Sequence, residues 1–268
     1  MSIITISRGS FSRGKEVAER VAKKLGYVCI SRDILLETSE KFNVPEIKLI
    51  RAIHDSPSLL DHVSYGKEAY VAYIQAALLK YLRKDNIVYH GLAGHFFVKD
   101  IPHVLKVRII SDFEDRINFE MQREKISRKE AVRILKNDDE QRRKWSLSLY
   151  GIDTSDSGLY DLVIHIKKIT VDDAADIICH TINQKSFETT PSSQKAINDL
   201  ALAAEIKIAL IDLNIDVEVI SNDGKVNIKV KSRYHGTTII SELTEIVKNI
   251  KGVKEVNIES RHLTIYSE

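Results

Sequence analysis

Residues Gly9-Ser10-Phe11-Ser12-Arg13-Gly14-Lys15-Glu16 spell G-x-x-x-x-G-K, a spacing whose chemistry is the cradling of phosphate groups. In such a loop the backbone N–H groups and the N-terminus of the following helix converge on phosphate oxygens. The lysine ammonium, here Lys15, reaches across the charge that builds between the β and γ phosphates. The last position departs from the usual form. Glu16 stands where a Ser or Thr hydroxyl would meet Mg²⁺, which makes Glu16 the candidate metal contact, and no acidic residue ends the later strand at His90. The simpler reading is that Gly9 and Gly14 shape a turn and Glu16 complements the helix dipole.

A second concentration of chemistry lies between Arg123 and Lys144, where nine basic residues face five acidic ones. Two short helices presenting these cations along one edge would make a cover that closes on polyphosphate, excludes water and neutralises developing charge. A solvated helix face is the alternative for any single arginine. Arg32 and Asp33 open a helix where they could hydrogen-bond a ribose or base, although an N-terminal Asp also serves as a plain cap. His90-Gly91 and His95 follow a strand end, the place where open α/β sheets bind ligands, so both histidines are site candidates, with a core role as the alternative.

Elements must exist to hold these groups. Ile3–Ser7 is a β-branched apolar run, and Val17, Ala18, Val21, Ala22 and Leu25 share one helical face closed by Gly26. Short strands are expected at Tyr27–Ile30, Asn86–His90, Val104–Ile110 and Leu162–Ile166. Helical patterns fall at Ile34–Leu36, Ile47–Ile53 and Ala69–Leu82. Capping boxes are expected at Ser111–Glu114, Ser127–Glu130 and Thr170–Asp173. Alternating strands and helices predict an α/β domain over 1–183, a parallel sheet covered on both faces. A polar linker with Pro191 occupies 184–194. Residues 195–268 then read as a small α+β module in the order α-β-β-α-β-β, with a hairpin at Asp223-Gly224 and no catalytic pattern.

The composition excludes several classes. Forty basic against 38 acidic residues leave a net charge of +2, so no global field favours nucleic acid. No stretch approaches the roughly 20 apolar residues of a membrane span, and the opening MSIITISRG reads as a core strand, so a cytoplasmic protein is expected. Cys29 and Cys179 sit in apolar contexts that suit buried reduced thiols better than a disulfide or metal site, and the nine histidines show no metal-ligand spacing. Trp145 is expected to pack.

The segments ITISRGSFSRGKEVAERVAKKLGY, YHGLAGHFF, EDRINFEMQRE, DDEQRRKW and YDLVIH together resemble the cytidylate kinase-like family of P-loop monophosphate kinases over roughly Ile3 to Thr181. The resemblance implies a five-stranded parallel sheet, a monophosphate-binding insert around Glu37–Leu82 and a lid around Arg123–Lys144. It implies transfer of the γ-phosphoryl of ATP, carried with Mg²⁺, to CMP or dCMP. It puts Gly9 to Glu16 on the ATP phosphates, Arg116 and Arg123 near the adenine and lid hinge, Arg142 and Arg143 on the transferred phosphoryl, and Asp33 near the acceptor nucleoside. The family's Gly-Arg signature, whose arginine grips the acceptor phosphate, is here His90-Gly91-Leu92 and lacks that arginine. Two alternatives stay open: a nucleotide-binding sensor without turnover, and a kinase of another small phosphorylated metabolite. The last module resembles a BON domain, from which a regulatory or homodimer-forming role is expected.

Overall fold

The computed structural model describes residues 2–31, 66–91, 94–213, 215–230 and 237–260. The chain divides into two compact units, one of residues 1–64 and 84–190, the other of residues 65–83 and 191–268. The helical patterns expected at Ile34–Leu36 and Ile47–Ile53, and the last strand of the expected α-β-β-α-β-β order, which the alternation at Leu263–Tyr266 would supply, lie outside the described residues.

In the first unit β1 (Ile3–Arg8), β2 (Val28–Ser31), β3 (Ile87–His90), β4 (Val104–Ser111) and β5 (Leu162–Ile166) form one parallel sheet in the order β2-β3-β1-β4-β5. β1 is central, hydrogen-bonded to β3 with Ile4 beside Val88 and to β4 with Ile4 beside Leu105. Because both its faces are covered, its apolar residues run without alternation: Ile3, Ile4 and Ile6 are all buried. On one face α1 (Gly14–Leu25) and α6 (Val171–Ile182) bring Val17, Val21, Ala174 and Ile178 onto Ile4, Ile6, Leu105, Val107 and Ile109. Each buried Val, Leu or Ile of this layer contributes about 1.5–3 kcal/mol. At the rim Arg20 pairs with Asp172 and Lys24 with Asp176.

The helix starts separate true caps from sequence look-alikes. Thr170 and Asp173 form the full reciprocal box at α6, and the Ser127 hydroxyl accepts the Glu130 N–H at the start of α5 (Arg128–Tyr150). The box expected at Ser111–Glu114 is absent. Asp112 is the cap residue of α4 (Phe113–Glu124), and its carboxylate is drawn away by Lys167 and His165 instead of closing on the helix. The expected pair of short basic helices is also corrected. α5 is one 23-residue helix, since no Gly or Pro interrupts it before Gly151 at φ 66° ends it. Trp145 on α5 is buried.

In the second unit α2 (Gly66–Leu82) and α7 (Pro191–Ala209) pack together, and α7 also lies on β6 (Val217–Asn222). The α7 helix begins at Pro191, earlier than the expected Lys195, because proline's fixed φ and missing N–H cost nothing in a first turn. β6 pairs antiparallel with β7 (Lys225–Val230), which pairs parallel with β8 (Glu255–Ser260). Asp223 and Gly224 turn the hairpin with φ of 53° and 78°, the left-handed pair that a two-residue loop requires. α8 (Thr237–Lys248) gives Leu243 and Val247 to the core beside Val226, Ile228 and Val230. Among the described residues no helix is long and apolar enough to cross a membrane.

Candidate functional site

The Gly9–Glu16 loop joins the end of β1 to α1 and is fixed from beneath. The Gly9 N–H donates to the Ile109 carbonyl at 3.3 Å, and the fully buried Ser12 hydroxyl lies 3.0 Å from the carbonyls of both Gly9 and Ile109. Phe11 and Arg13 hold φ of 54° and 62°, left-handed values that cost a non-glycine residue about 1–2 kcal/mol each. Gly14 has no room for a side chain, since a Cβ there would stand 2.8 Å from Arg8 Cβ. Arg123 lies over the Phe11 ring at 4.4 Å and is hydrogen-bonded to the buried Glu120. Burial pushes the Glu120 carboxyl up from its usual range.

Lys15 is 60% exposed and 3.8 Å from Glu19, so its ammonium is free to swing. Glu16 is engaged by Arg13, with Nη2 to Oε2 at 2.6 Å and Nε 3.2 Å from both oxygens. A carboxylate so occupied does not fit a direct metal ligand, and no group of three His, Cys, Asp or Glu able to hold a metal occurs among the described residues.

Above the loop, Arg116 of α4 donates to the Ser10 carbonyl at 2.9 Å and forks onto Asp139 of α5 at 3.1 and 2.9 Å. Asp139 also accepts the Ser10 N–H at 3.3 Å. Burial raises the Asp139 carboxyl, but the Arg116 guanidinium and the Ser10 N–H outweigh it and hold the group below the usual carboxylate range.

Beside these groups opens a cavity of about 250 Å³ at the carboxyl ends of β1 and β4. Arg8, Arg108, Arg116, Arg142 and Arg143 line it against Asp139 and Asp153, an excess of three positive charges. Arg143 Nε donates to Asp153 at 3.1 Å, and Asp153 also accepts the backbone N–H and hydroxyl of Ser155. The Ser155 N–H and hydroxyl, then Arg143, lower the Asp153 carboxyl to about 2. Burial presses the Arg142 guanidinium downward, with Asp138 and Asp139 opposing. An excess of guanidinium in a partly desolvated cleft is an anion-binding arrangement.

The sequence-derived candidates fall into groups. Gly9, Ser12, Arg116, Arg142 and Arg143 share the cavity; Ser10, Phe11, Arg13, Gly14, Lys15, Glu16 and Arg123 build or flank the loop. His90 is buried at the end of β3, and the Gly91 N–H donates to the Ile6 carbonyl at 3.2 Å, but neither lines the cavity. Arg32 and Asp33 lie outside the described residues. His95 is buried on the short α3 (Gly94–Phe97), its ring 4.7 Å from that of Tyr160. Sequence reasoning missed Arg8, Arg108, Asp139, Asp153 and Tyr160. Arg108 had a signal, a cation inside the otherwise apolar Val107–Ile110 run.

A family model described as the cytidylate kinase-like family matches residues 3–168. The cytidylate kinase of Sulfolobus acidocaldarius is 24% identical over 192 residues, which cover 70% of this chain and 98% of that protein. That of Thermococcus sibiricus is 37% identical over 83 residues, 31% of this chain and 42% of its own length. A crystal structure of an uncharacterised protein from Eubacterium ventriosum superposes with a TM-score of 0.54 at 23% identity, covering 69% of this chain and all of that one, a likeness of fold.

Proposed function

The chain belongs to the cytidylate kinase-like family, and from that premise we propose that it is a phosphotransferase moving the γ-phosphoryl of ATP to a nucleoside monophosphate, CMP or dCMP foremost. The observation that carries the reading is the pairing of the Gly9–Glu16 loop with an arginine-lined cavity under one helix, α5. Phosphoryl transfer needs little covalent chemistry from a protein and much positioning and charge neutralisation. In this reading the loop amides and Lys15 hold the ATP phosphates, Arg142 and Arg143 stabilise the transferring group, and Arg116 and Arg123 flank the nucleotide. Asp33, Arg32, His90 and Gly91 remain the proposed acceptor side. Mg²⁺ would come with ATP, held by phosphates and water, since Glu16 is occupied by Arg13.

The occupied Glu16 also favours a second reading, a nucleotide sensor without turnover. The second unit would be its output, as a BON-like module or a homodimer contact, in a cytoplasmic protein. A coupled ADP-release assay with ATP, Mg²⁺ and a panel of nucleoside monophosphates, run beside Lys15→Ala, tests both. Acceptor-dependent turnover lost in Lys15→Ala supports the kinase. No turnover, with calorimetric ATP binding that still requires Lys15, overturns it and leaves the sensor.

A further inference from the structure

The Gly9–Glu16 loop is fastened to the α4–α5 hairpin at two neighbouring residues. At Ser10 the fastening is polar, through Asp139 and Arg116. At Phe11 it is apolar. The half-buried Phe11 ring packs on a small cluster made by Ile117 of α4 and Ala131 and Leu135 of α5, all three fully buried, with Met121 and Val132 beside them. Arg123 of α4 lies over the ring, 4.4 Å from its centre, and is ion-paired with Glu120 at 2.8 Å and Glu124 at 3.0 Å. This cluster is separate from the core that α1 and α6 form on the sheet. A phosphate-cradling loop works through backbone N–H groups and has no need of a large apolar side chain. Phe11 is moreover held at φ 54°, where a side chain costs about 1–2 kcal/mol and glycine is at ease. Such a conformation persists where the surroundings over-determine it, and here the surroundings are the hairpin. The face of α5 that meets Phe11 also leads into the cavity. Ala131, Leu135, Asp139 and then Arg142 and Arg143 recur at helical spacing along one stripe of an unbroken helix. From Leu135 to Arg142 the stripe runs about 10 Å.

We propose that Phe11 is a positioning residue: its ring, seated in the hairpin, sets where α5 places Arg142 and Arg143 with respect to the loop. The inference rests on the phosphotransferase reading, in which those two arginines stabilise the transferring group. The Phe11 side chain touches no reacting atom in this role and acts through α5. Its loss therefore leaves the loop amides and Lys15 to hold ATP, and shifts the arginines that serve the transfer step.

The test is steady-state kinetics of the full chain, with ATP varied at saturating CMP or whichever nucleoside monophosphate of the panel is turned over, together with hydrogen exchange. Wild type, Phe11→Gly and Phe11→Leu are compared. Phe11→Gly removes the ring and relieves the left-handed strain, so the loop itself is not penalised. Its kcat should fall at least about tenfold, since a misplacement of about 1 Å can cost about a hundredfold in rate, while KM for ATP stays within about threefold. Phe11→Leu keeps an apolar side chain in the seat and should fall between; it carries the test if Phe11→Gly does not fold. Hydrogen exchange in Phe11→Gly should quicken in α4 and α5 and keep its wild-type rates in β1 and α1. A merely structural role would lower the melting temperature and leave kcat per folded molecule unchanged. An unchanged kcat, a loss carried wholly by KM for ATP, or a Phe11→Leu no faster than Phe11→Gly overturns the proposal. If wild type turns over no monophosphate, the phosphotransferase reading fails and exchange decides alone. Quickening confined to the hairpin then leaves the seating standing, and unchanged exchange in α5 overturns it too.

Discussion

Asp139 Oδ1 takes both Arg116 Nη1, at 3.1 Å, and the Ser10 N–H, at 3.3 Å, so one oxygen on the middle of α5 ties helix α4 to the Gly9–Glu16 loop. Arg116 is only 11% exposed, and removing its counter-charge would cost several kcal/mol in a dry interior; Asp139 is 37% exposed, and solvent screening reduces the expected loss for Asp139→Ala to about 1–2 kcal/mol. Urea unfolding at neutral pH measures it. The folded carboxyl lies below its unfolded value of about 3.9. Its contribution is therefore present above that pH and lost as pH falls through the folded value, so the variant and wild type should converge in acid.

Gly14→Ala sets two effects against each other. Alanine in a first helical turn gains about 0.5–1 kcal/mol over glycine. The new Cβ would stand 2.8 Å from Arg8 Cβ and 3.1 Å from its Cδ, and a Cβ cannot swing away as a flexible tip can. Overpacking at about 1–3 kcal/mol should win. The variant is expected to melt lower and to bind ATP more weakly, because Arg8 lines the cavity. A melting temperature equal to or above wild type would contradict this.

His95 supplies a pH signature. Its folded pKa is depressed to about 3, so between that value and about 6.5 the unfolded chain binds a proton that the folded chain refuses. Stability should fall as pH drops below about 6.5, by up to about 1.4 kcal/mol per unit from this residue alone. Comparing urea midpoints at pH 7 and pH 5 in wild type and His95→Gln checks it: the variant's slope should be flatter by about one proton.

In the second unit, Gly224→Ala puts a side chain at φ 78° with its Cβ 2.5 Å from the Gly252 carbonyl oxygen. Strain and clash together should cost at least about 2 kcal/mol. Hydrogen exchange should show β6, β7 and β8 opening more readily, while ATP affinity stays at the wild-type value.

The parts of the fold legible in the sequence are those decided locally. β1, the loop and α1 are specified by a β-branched run, two glycines and a five-residue apolar face, and the hairpin by Asp223-Gly224. Local pattern misleads where a distant residue competes: Ser111 and Glu114 have the spacing of a capping box, but Asp112 is the cap residue, and Lys167 and His165, more than 50 residues on, claim its carboxylate. The site divides the same way. The cavity-lining Arg142 and Arg143 belong to a run legible from its charge, but Asp139 reads as one acid among many, and nothing local tells that it meets Ser10 and Arg116. Tyr160 reaches Ser7 and Arg108 only because the parallel sheet lays β4 beside β1 and β5 beside β4.

The two cysteines have a practical consequence. Burial, the larger influence, raises the Cys29 thiol to about 11, and it also raises that of Cys179. At neutral pH about one Cys29 in ten thousand is thiolate, the form that alkylates. Cys29 is thus slow toward maleimides. A single cysteine placed at the exposed Ser157, two residues past the cavity-lining Ser155, would accept a fluorophore faster than Cys29, so that ligand arrival could be followed by light.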